Sequence, residues 1–232
     1  MSLVLVSEYL ETYSGRDKFL RLFSYAAKLA TIAATTKDTE NKLKTLGSQL
    51  SGSRVILRLL DDIPTLCGVM SYGWGKQEPD QLIRIIDVLQ NGVDILFNPI
   101  EHIAWAMEHK IIALNSDVWD TTSTSLWILS LHFALIKSIR KYQKLQQFKK
   151  EINKTDCDKR KAIRTIADEQ NNELLTCLRL LMDITYAIHY LPPGTLWSGC
   201  LKLWHVGALG TMSSLICLYQ SLSKYKKGKS SN

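Results

Sequence analysis

Apolar residues recur every three or four positions along most of the chain, and no long run of alternating apolar and polar residues stands out. This spacing places the apolar side chains of a segment on one side of a helix. The chain has only five prolines and twelve glycines in 232 residues, so few positions would interrupt a helix. The pattern predicts an all-α protein in which most helices are amphipathic.

A basic amphipathic helix is predicted over residues 16–34, with Gly15 separating it from a short helix before it. Four basic residues against one acidic residue give this segment a positive charge, which suits a helix lying on an anionic membrane surface. The residues that define its apolar and basic faces are Lys18, Phe19, Arg21, Leu22, Phe23 and Lys28.

A second amphipathic helix is predicted over residues 51–66, where Pro64 would end or kink it. Arg58 and Asp62 are spaced to pair across one turn. The segment carries no net charge, so its attraction to anionic lipid should be weak. Its candidate membrane-contacting residues are Arg54, Ile56, Arg58, Leu59, Leu60 and Ile63.

Two further helices are predicted, over residues 80–97 and from Pro99 onward, and two uncharged segments follow them. The segment 203–223 would form a helix of about 32 Å, close to the roughly 30 Å hydrocarbon thickness of a bilayer. We therefore predict a C-terminal transmembrane helix there. Residues 119–136 are a weaker candidate for a first span, because their uncharged part is shorter and begins with serines and threonines.

Small side chains recur along one side of the last helix. Such a stripe lets another helix approach closely, either from a second molecule in a membrane or within a soluble helical bundle. We expect it to mediate self-association. Its members are Gly207, Gly210, Ser214, Cys217 and Ser221.

The net charge of +7 is concentrated in residues 137–164 and in the lysines after Ser223. These clusters adjoin apolar helices and no nucleic-acid-binding motif accompanies them, so anionic lipid headgroups are better partners than nucleic acid. The charge pattern divides the chain into a membrane-remodelling region at 1–136, a basic linker at 137–172 and a C-terminal helical region at 173–232.

No pattern in the chain points to catalysis. It has no nucleophile motif and no glycine-rich phosphate loop, and its five cysteines include no CxxC pair. His102 and His109 lie seven residues apart without the further ligands that zinc needs. The first residues also lack the basic start of a secretory signal. We expect a protein that is not an enzyme and that has no metal and no cofactor.

Five segments, taken in order, resemble one family, the peroxin-eleven proteins of the peroxisomal membrane, and specifically their gamma class. Each segment is modest alone, but the ordered set covers essentially the whole chain. The segments are "ETYSGRDKFLRLFSYAAKL", "SQLSGSRVILRLLDD", "NPIEHIAWA", "HYLPPGTLWSG" and "GALGTMSSLICLYQ".

The resemblance implies a multi-pass peroxisomal membrane protein with both termini in the cytosol, which promotes peroxisome elongation and division. It also implies assembly with itself and with other family members, and cooperation with the fission machinery, without catalysis. In the family an amphipathic helix matching about residues 51–66 inserts into one leaflet. Charge instead favours residues 16–34, so the sequence leaves two candidates for the membrane-bending helix.

Two other functions remain open from the residues. The first is a small-solute channel of the peroxisomal membrane, in which serines and threonines of 121–125 line a pathway between associated helices. The second is a soluble helical adaptor whose apolar helices pair inside a bundle.

Overall fold

The computed structural model describes residues 3–113, 116–151 and 157–230, and within these ranges it contains helices and no strands. The prediction of an all-α protein is therefore confirmed. The α-helices are α1 (Leu3–Glu11), α2 (Tyr13–Ala30), α3 (Lys37–Arg58), α4 (Asp62–Tyr72), α5 (Gln81–Glu108), α6 (Ser116–Glu151), α7 (Cys157–His189) and α8 (Leu203–Ser230), with a 3-10 turn at Thr31–Ala33.

Polar side chains set the starts of several helices. Thr12 accepts a hydrogen bond from the Gly15 N–H at 3.0 Å and begins α2, close to the predicted break. Gly15 itself has no room for a side chain, because a Cβ there would lie 1.9 Å from the Tyr9 carbonyl oxygen. Asp80 accepts hydrogen bonds from two N–H groups in the first turn of α5.

The two prolines near helix boundaries behave differently from expectation. Residues 51–66 do not form one helix, because α3 ends at Arg58 and α4 begins at Asp62. Pro64 lies in the first turn of α4, where the missing N–H has no helical partner to lose. Pro99 does not open a helix, since α5 continues through it to Glu108.

The basic segment 137–172 lies mainly in helices, with residues 137–151 at the end of α6 and residues 157–172 at the start of α7. Residues 152–156 of the predicted linker lie outside the described residues.

The helices form a row in the spatial order α3, α2, α8, α7, α6, α5, and α4 packs on α5. Clusters of apolar side chains fill the seams, such as Tyr25, Tyr186 and Val206 between α2, α7 and α8. The row curls back on itself, because Arg58 of α3 forms an ion pair with Glu101 of α5.

The first and last helices meet at one end of the row. Glu8 of α1 and Lys229 of α8 form an ion pair at 2.5 Å. The rings of Tyr9 and Tyr225 lie 5.4 Å apart beside them.

Among the described helices, none is both long and apolar enough to cross a membrane. The predicted spans at 203–223 and 119–136 are thus not supported, and neither is the multi-pass arrangement. Polar side chains lower the hydropathy of both segments. In α8 the buried Ser213 donates a hydrogen bond to Asp183, and the buried Ser214 donates one to the Gly210 carbonyl.

Candidate functional site

An apolar strip on α4 and the turn after it faces solvent. We call Ile63, Leu66, Cys67, Met70 and Trp74 the α4 strip. The spacing of the first four places them on one side of α4, and Trp74 follows in the turn after the helix. Ile63, Met70 and Trp74 are each more than 70% exposed. In a water-soluble monomer this many adjacent apolar side chains would be an unusual surface.

The opposite side of α4 fixes the helix to α5. The Tyr72 hydroxyl donates a hydrogen bond to Asp87 at 3.1 Å, and Asn98 donates one to the Thr65 hydroxyl at 3.2 Å. Burial and the neighbouring Asp87 carboxylate raise the pKa of the Tyr72 hydroxyl, so it stays a hydrogen-bond donor. These contacts hold the α4 strip outward.

The residues predicted as the neutral membrane-contacting helix divide into two groups. Ile56, Leu60 and Ile63 are exposed and continue the α4 strip toward α3, whereas Leu59 is half-buried. Both arginines point inward. Arg54 pairs with Asp17 at 2.7 Å, and Arg58 binds both carboxylate oxygens of Glu101 instead of pairing with Asp62.

The residues predicted as the basic helix belong to α2, which lies between α3 and α8. Arg21 forms a buried ion pair with Asp183 at 2.6 Å, and Lys28 lies against aromatic rings. Phe19 and Leu22 pack on the apolar cluster that joins α1 and α8. Phe23 is exposed, and Lys18 donates a hydrogen bond to Ser14.

The small residues of α8 lie against α2 of the same chain. A Cβ on Gly207 would come within 2.3 Å of the Leu29 backbone nitrogen, and one on Gly210 within 2.2 Å of the Tyr25 ring. Ser214 is buried, and Cys217 and Ser221 are half-buried. The two glycines therefore serve a close helix crossing within the molecule.

A cavity of about 530 Å³ lies inside the curled row, and we call it the central cavity. Its wall comes from α2, α3, α5, α6 and α7. Two of the hydroxyl residues of the segment 121–125, Ser123 and Thr124, line it. Most of its other polar lining residues are charged, namely Arg21, Lys28, Arg54, Arg58, Glu101, Arg179 and Asp183.

The outer surfaces of the later helices are also apolar. Among the described residues, more large apolar side chains are exposed than hydrophobic side chains are buried. Exposed apolar surfaces of this extent mark sites of contact with a membrane or with another protein. The large apolar residues that are exposed on α7 are Leu174, Leu178 and Leu181, and those on α8 are Met212, Leu215 and Tyr219.

Sequence reasoning missed most of the α4 strip. Its spacing is visible in "IPTLCGVMSYGW", but the pattern predicts a helix that ends or kinks at Pro64, whereas Pro64 lies near the start of α4. The described residues contain no group of three or more side chains suited to bind a metal ion.

The chain matches one known family over nearly its whole length. The family model described as Peroxisomal biogenesis factor 11 (PEX11) matches residues 3–222. The chain is 35% identical over 227 residues to the Homo sapiens protein "Peroxisomal membrane protein 11C", covering 95% of this chain and 94% of that protein. It is 33% identical over 220 residues to the Mus musculus protein of the same name, covering 92% and 91%. No solved structure gives a significant match.

Proposed function

Because the chain belongs to the peroxisomal biogenesis factor 11 (PEX11) family, we propose that it promotes peroxisome elongation and division by inserting the α4 strip into one leaflet of the peroxisomal membrane. Family membership supports a general role in peroxisome proliferation, and the names of the relatives support a location at the peroxisomal membrane. The family is one of biogenesis factors and not of enzymes.

The exposure of the α4 strip carries the proposal. Ile63, Leu66, Met70 and Trp74 lose contact with water when the helix enters the boundary between headgroups and acyl chains. Burying each such side chain fully contributes about 1.5–3 kcal/mol. A helix inserted from one side spreads the lipids of that leaflet only, which favours curvature and tubule formation.

Burial rather than charge drives this insertion. Asp62 is the one charged residue within α4. Membrane binding through α4 should therefore depend little on salt, unlike binding through the lysines at the end of α8. This distinction separates α4 from the basic segments predicted to contact lipid headgroups.

Assembly with itself and with other family members is part of the same proposal, together with cooperation with the fission machinery. The two glycines of α8 pack against α2 of the same chain, so self-association would use another surface. The exposed leucines of α7 and the apolar residues beside them on α8 supply one.

The test uses the purified full-length chain and vesicles of phosphatidylcholine and phosphatidylethanolamine. We expect Met70→Glu to weaken vesicle flotation at least about tenfold and to abolish tubules in electron micrographs, since the α4 strip loses one apolar anchor and gains a charge. The matched control is Ser71→Glu, which places the same charge on the next residue, at the polar edge of the strip.

Equal effects of the two substitutions would refute insertion through the α4 strip. Unchanged tubulation by Met70→Glu would move the activity to another segment. Release of a small dye from the vesicles without tubulation would favour the channel function instead.

A further inference from the structure

The central cavity contains more positive than negative charge. Five basic side chains line it. Glu101, Asp183 and the nearby Asp17 pair with three of them, Arg58, Arg21 and Arg54. Removing unbalanced charge from bulk water is costly, so a site of this kind attracts a counter-ion. The two remaining basic residues are Lys28 and Arg179.

Arg179 on α7 lacks a strong partner. Its nearest carboxylate oxygen belongs to Asp183, at 3.5 Å. Asp183 already accepts a hydrogen bond from Arg21 at 2.6 Å and another from Ser213. The Nε atom of Arg179 is buried and has no hydrogen-bond partner among the described residues. A buried guanidinium donor without an acceptor is unfavourable, and a bound anion would satisfy it.

Lys28 on α2 has no carboxylate partner in the described part of the chain. Its ammonium group lies 5.0 Å from the centre of the Tyr25 ring and 3.4 Å from the Tyr190 hydroxyl. Burial, with a smaller contribution from the Arg54 charge, lowers the pKa of Lys28. Tyr190 is about half exposed, so this side of the cavity opens to solvent.

We propose that the central cavity binds a phosphate monoester, with Lys28 and Arg179 as the principal contacts to its oxygens. The planar guanidinium matches two phosphate oxygens, and the ammonium supplies a compact charge. Ser123 and Thr124 also line the cavity, and their hydroxyls add donors. At about 530 Å³ the cavity also has room for an organic group on the phosphate.

The phosphate could belong to a soluble metabolite or to the headgroup of a lipid. Both present the same doubly charged group to the cavity. This site lies inside the row of helices and does not use the α4 strip, so it can be tested without membrane remodelling.

The first experiment titrates glycerol 3-phosphate into the purified full-length chain and follows the heat of binding. We expect Lys28→Met and Arg179→Met each to weaken binding at least about tenfold, the usual effect of losing a charge-assisted hydrogen bond. The control Lys42→Met removes the same charge from an exposed lysine on α3 and should bind like the unchanged chain.

A second measurement avoids substitution altogether. Because its pKa is lowered, Lys28 should react readily with acetic anhydride, and mass spectrometry identifies the acetylated residue. Glycerol 3-phosphate should protect Lys28 and leave Lys42 unprotected, whereas glycerol should protect neither. Folding defects of the variants cannot affect this result.

The lipid arm uses phosphatidylcholine vesicles with and without phosphatidic acid. Protection of Lys28 by phosphatidic acid vesicles, without binding of glycerol 3-phosphate, would identify a lipid headgroup as the ligand. Binding of glycerol 3-phosphate alone would identify a soluble phosphate. No protection by either probe, or an equal loss of binding in Lys42→Met, would overturn the proposal.

Discussion

Gly207 and Gly210 determine how closely α8 approaches α2. Their absent side chains allow the Leu29 backbone and the Tyr25 ring to lie directly against the α8 backbone. The sequence predicted a close helix contact at these positions, but spacing alone does not distinguish a neighbour in the same chain from one in another molecule. Because α2 of the same chain packs against both glycines, substituting either would disturb the fold before it disturbed any assembly.

We expect Gly207→Ala to lower the free energy of unfolding by about 1–3 kcal/mol, as overpacking does in a tight interior. The new Cβ would meet backbone atoms, which cannot rotate away. Chemical denaturation measures the change.

The matched control is Gly92→Ala in α5, where a Cβ meets nothing within 4 Å. This variant should be more stable by about 0.5–1 kcal/mol, because alanine has the better helix propensity. If Gly207→Ala were stabilised to the same extent, α8 would not cross α2 as closely as described.

The charged residues show what single positions could reveal in advance. Arg179 and Asp183 lie four residues apart in an apolar segment, and this pattern suits the buried place that Asp183 occupies. Its main partner, Arg21, is 162 residues away in the chain. No periodicity encodes such a pairing. The sequence therefore predicted a membrane-surface role for Arg21 and Lys28, whereas both side chains line the central cavity.

The helices themselves were largely predictable, because their apolar spacing is strong, but their ends were not. Pro64 and Pro99 illustrate the difficulty, since a proline is tolerated in the first turn of a helix and also inside a long, well-packed one. Because the predicted helix ended at residue 66, only Ile63 and Leu66 of the α4 strip fell within it. The strip became visible only when α4 was seen as a separate helix.

Native Cys67 offers a direct report on α4. A polarity-sensitive fluorophore attached there, with the other cysteines replaced by serine, should shift its emission to the blue when phosphatidylcholine vesicles are added. Cys67 is exposed within the α4 strip, so the label would enter the acyl region with it.

For comparison, the same label at Lys42→Cys in a Cys67→Ser background should show no shift, because this position lies among charged residues of α3. A blue shift at residue 42 with none at residue 67 would contradict insertion of the α4 strip.

At the scale of the whole molecule, ion pairs join different helices, some of which are far apart in the sequence. Asp17–Arg54 links α2 to α3, Arg21–Asp183 links α2 to α7, and Arg58–Glu101 links α3 to α5. Asp80, which caps the start of α5, binds both Arg140 and Lys144 of α6. The hydrogen bond from Lys144 is the main reason why the pKa of Asp80 lies well below its usual range.

Arg58–Glu101 is the link that curls the row, and its loss should be costly. We expect Glu101→Gln to lower the free energy of unfolding by about 2–3 kcal/mol, because the half-buried Arg58 loses its counter-charge. The double variant Arg58→Met with Glu101→Leu should recover part of this loss, since it leaves no unpaired charge.

Urea unfolding of Arg58→Met, of Glu101→Leu and of the double variant gives the coupling between the positions. Additive effects would mean that the pair contributes nothing to closing the row. The analogous cycle for Lys42 and Asp38, an exposed pair within one turn of α3, should yield a coupling below about 0.5 kcal/mol.

The contact between α1 and α8 constrains where the two ends of the chain can lie in a cell. Two side chains in direct contact cannot be separated by a bilayer, so Glu8 and Lys229 must face the same compartment. A protease added to intact organelles should therefore remove epitope tags at both ends or spare both. Fluorescent fusions at the two ends would likewise sit close enough for energy transfer within a single molecule.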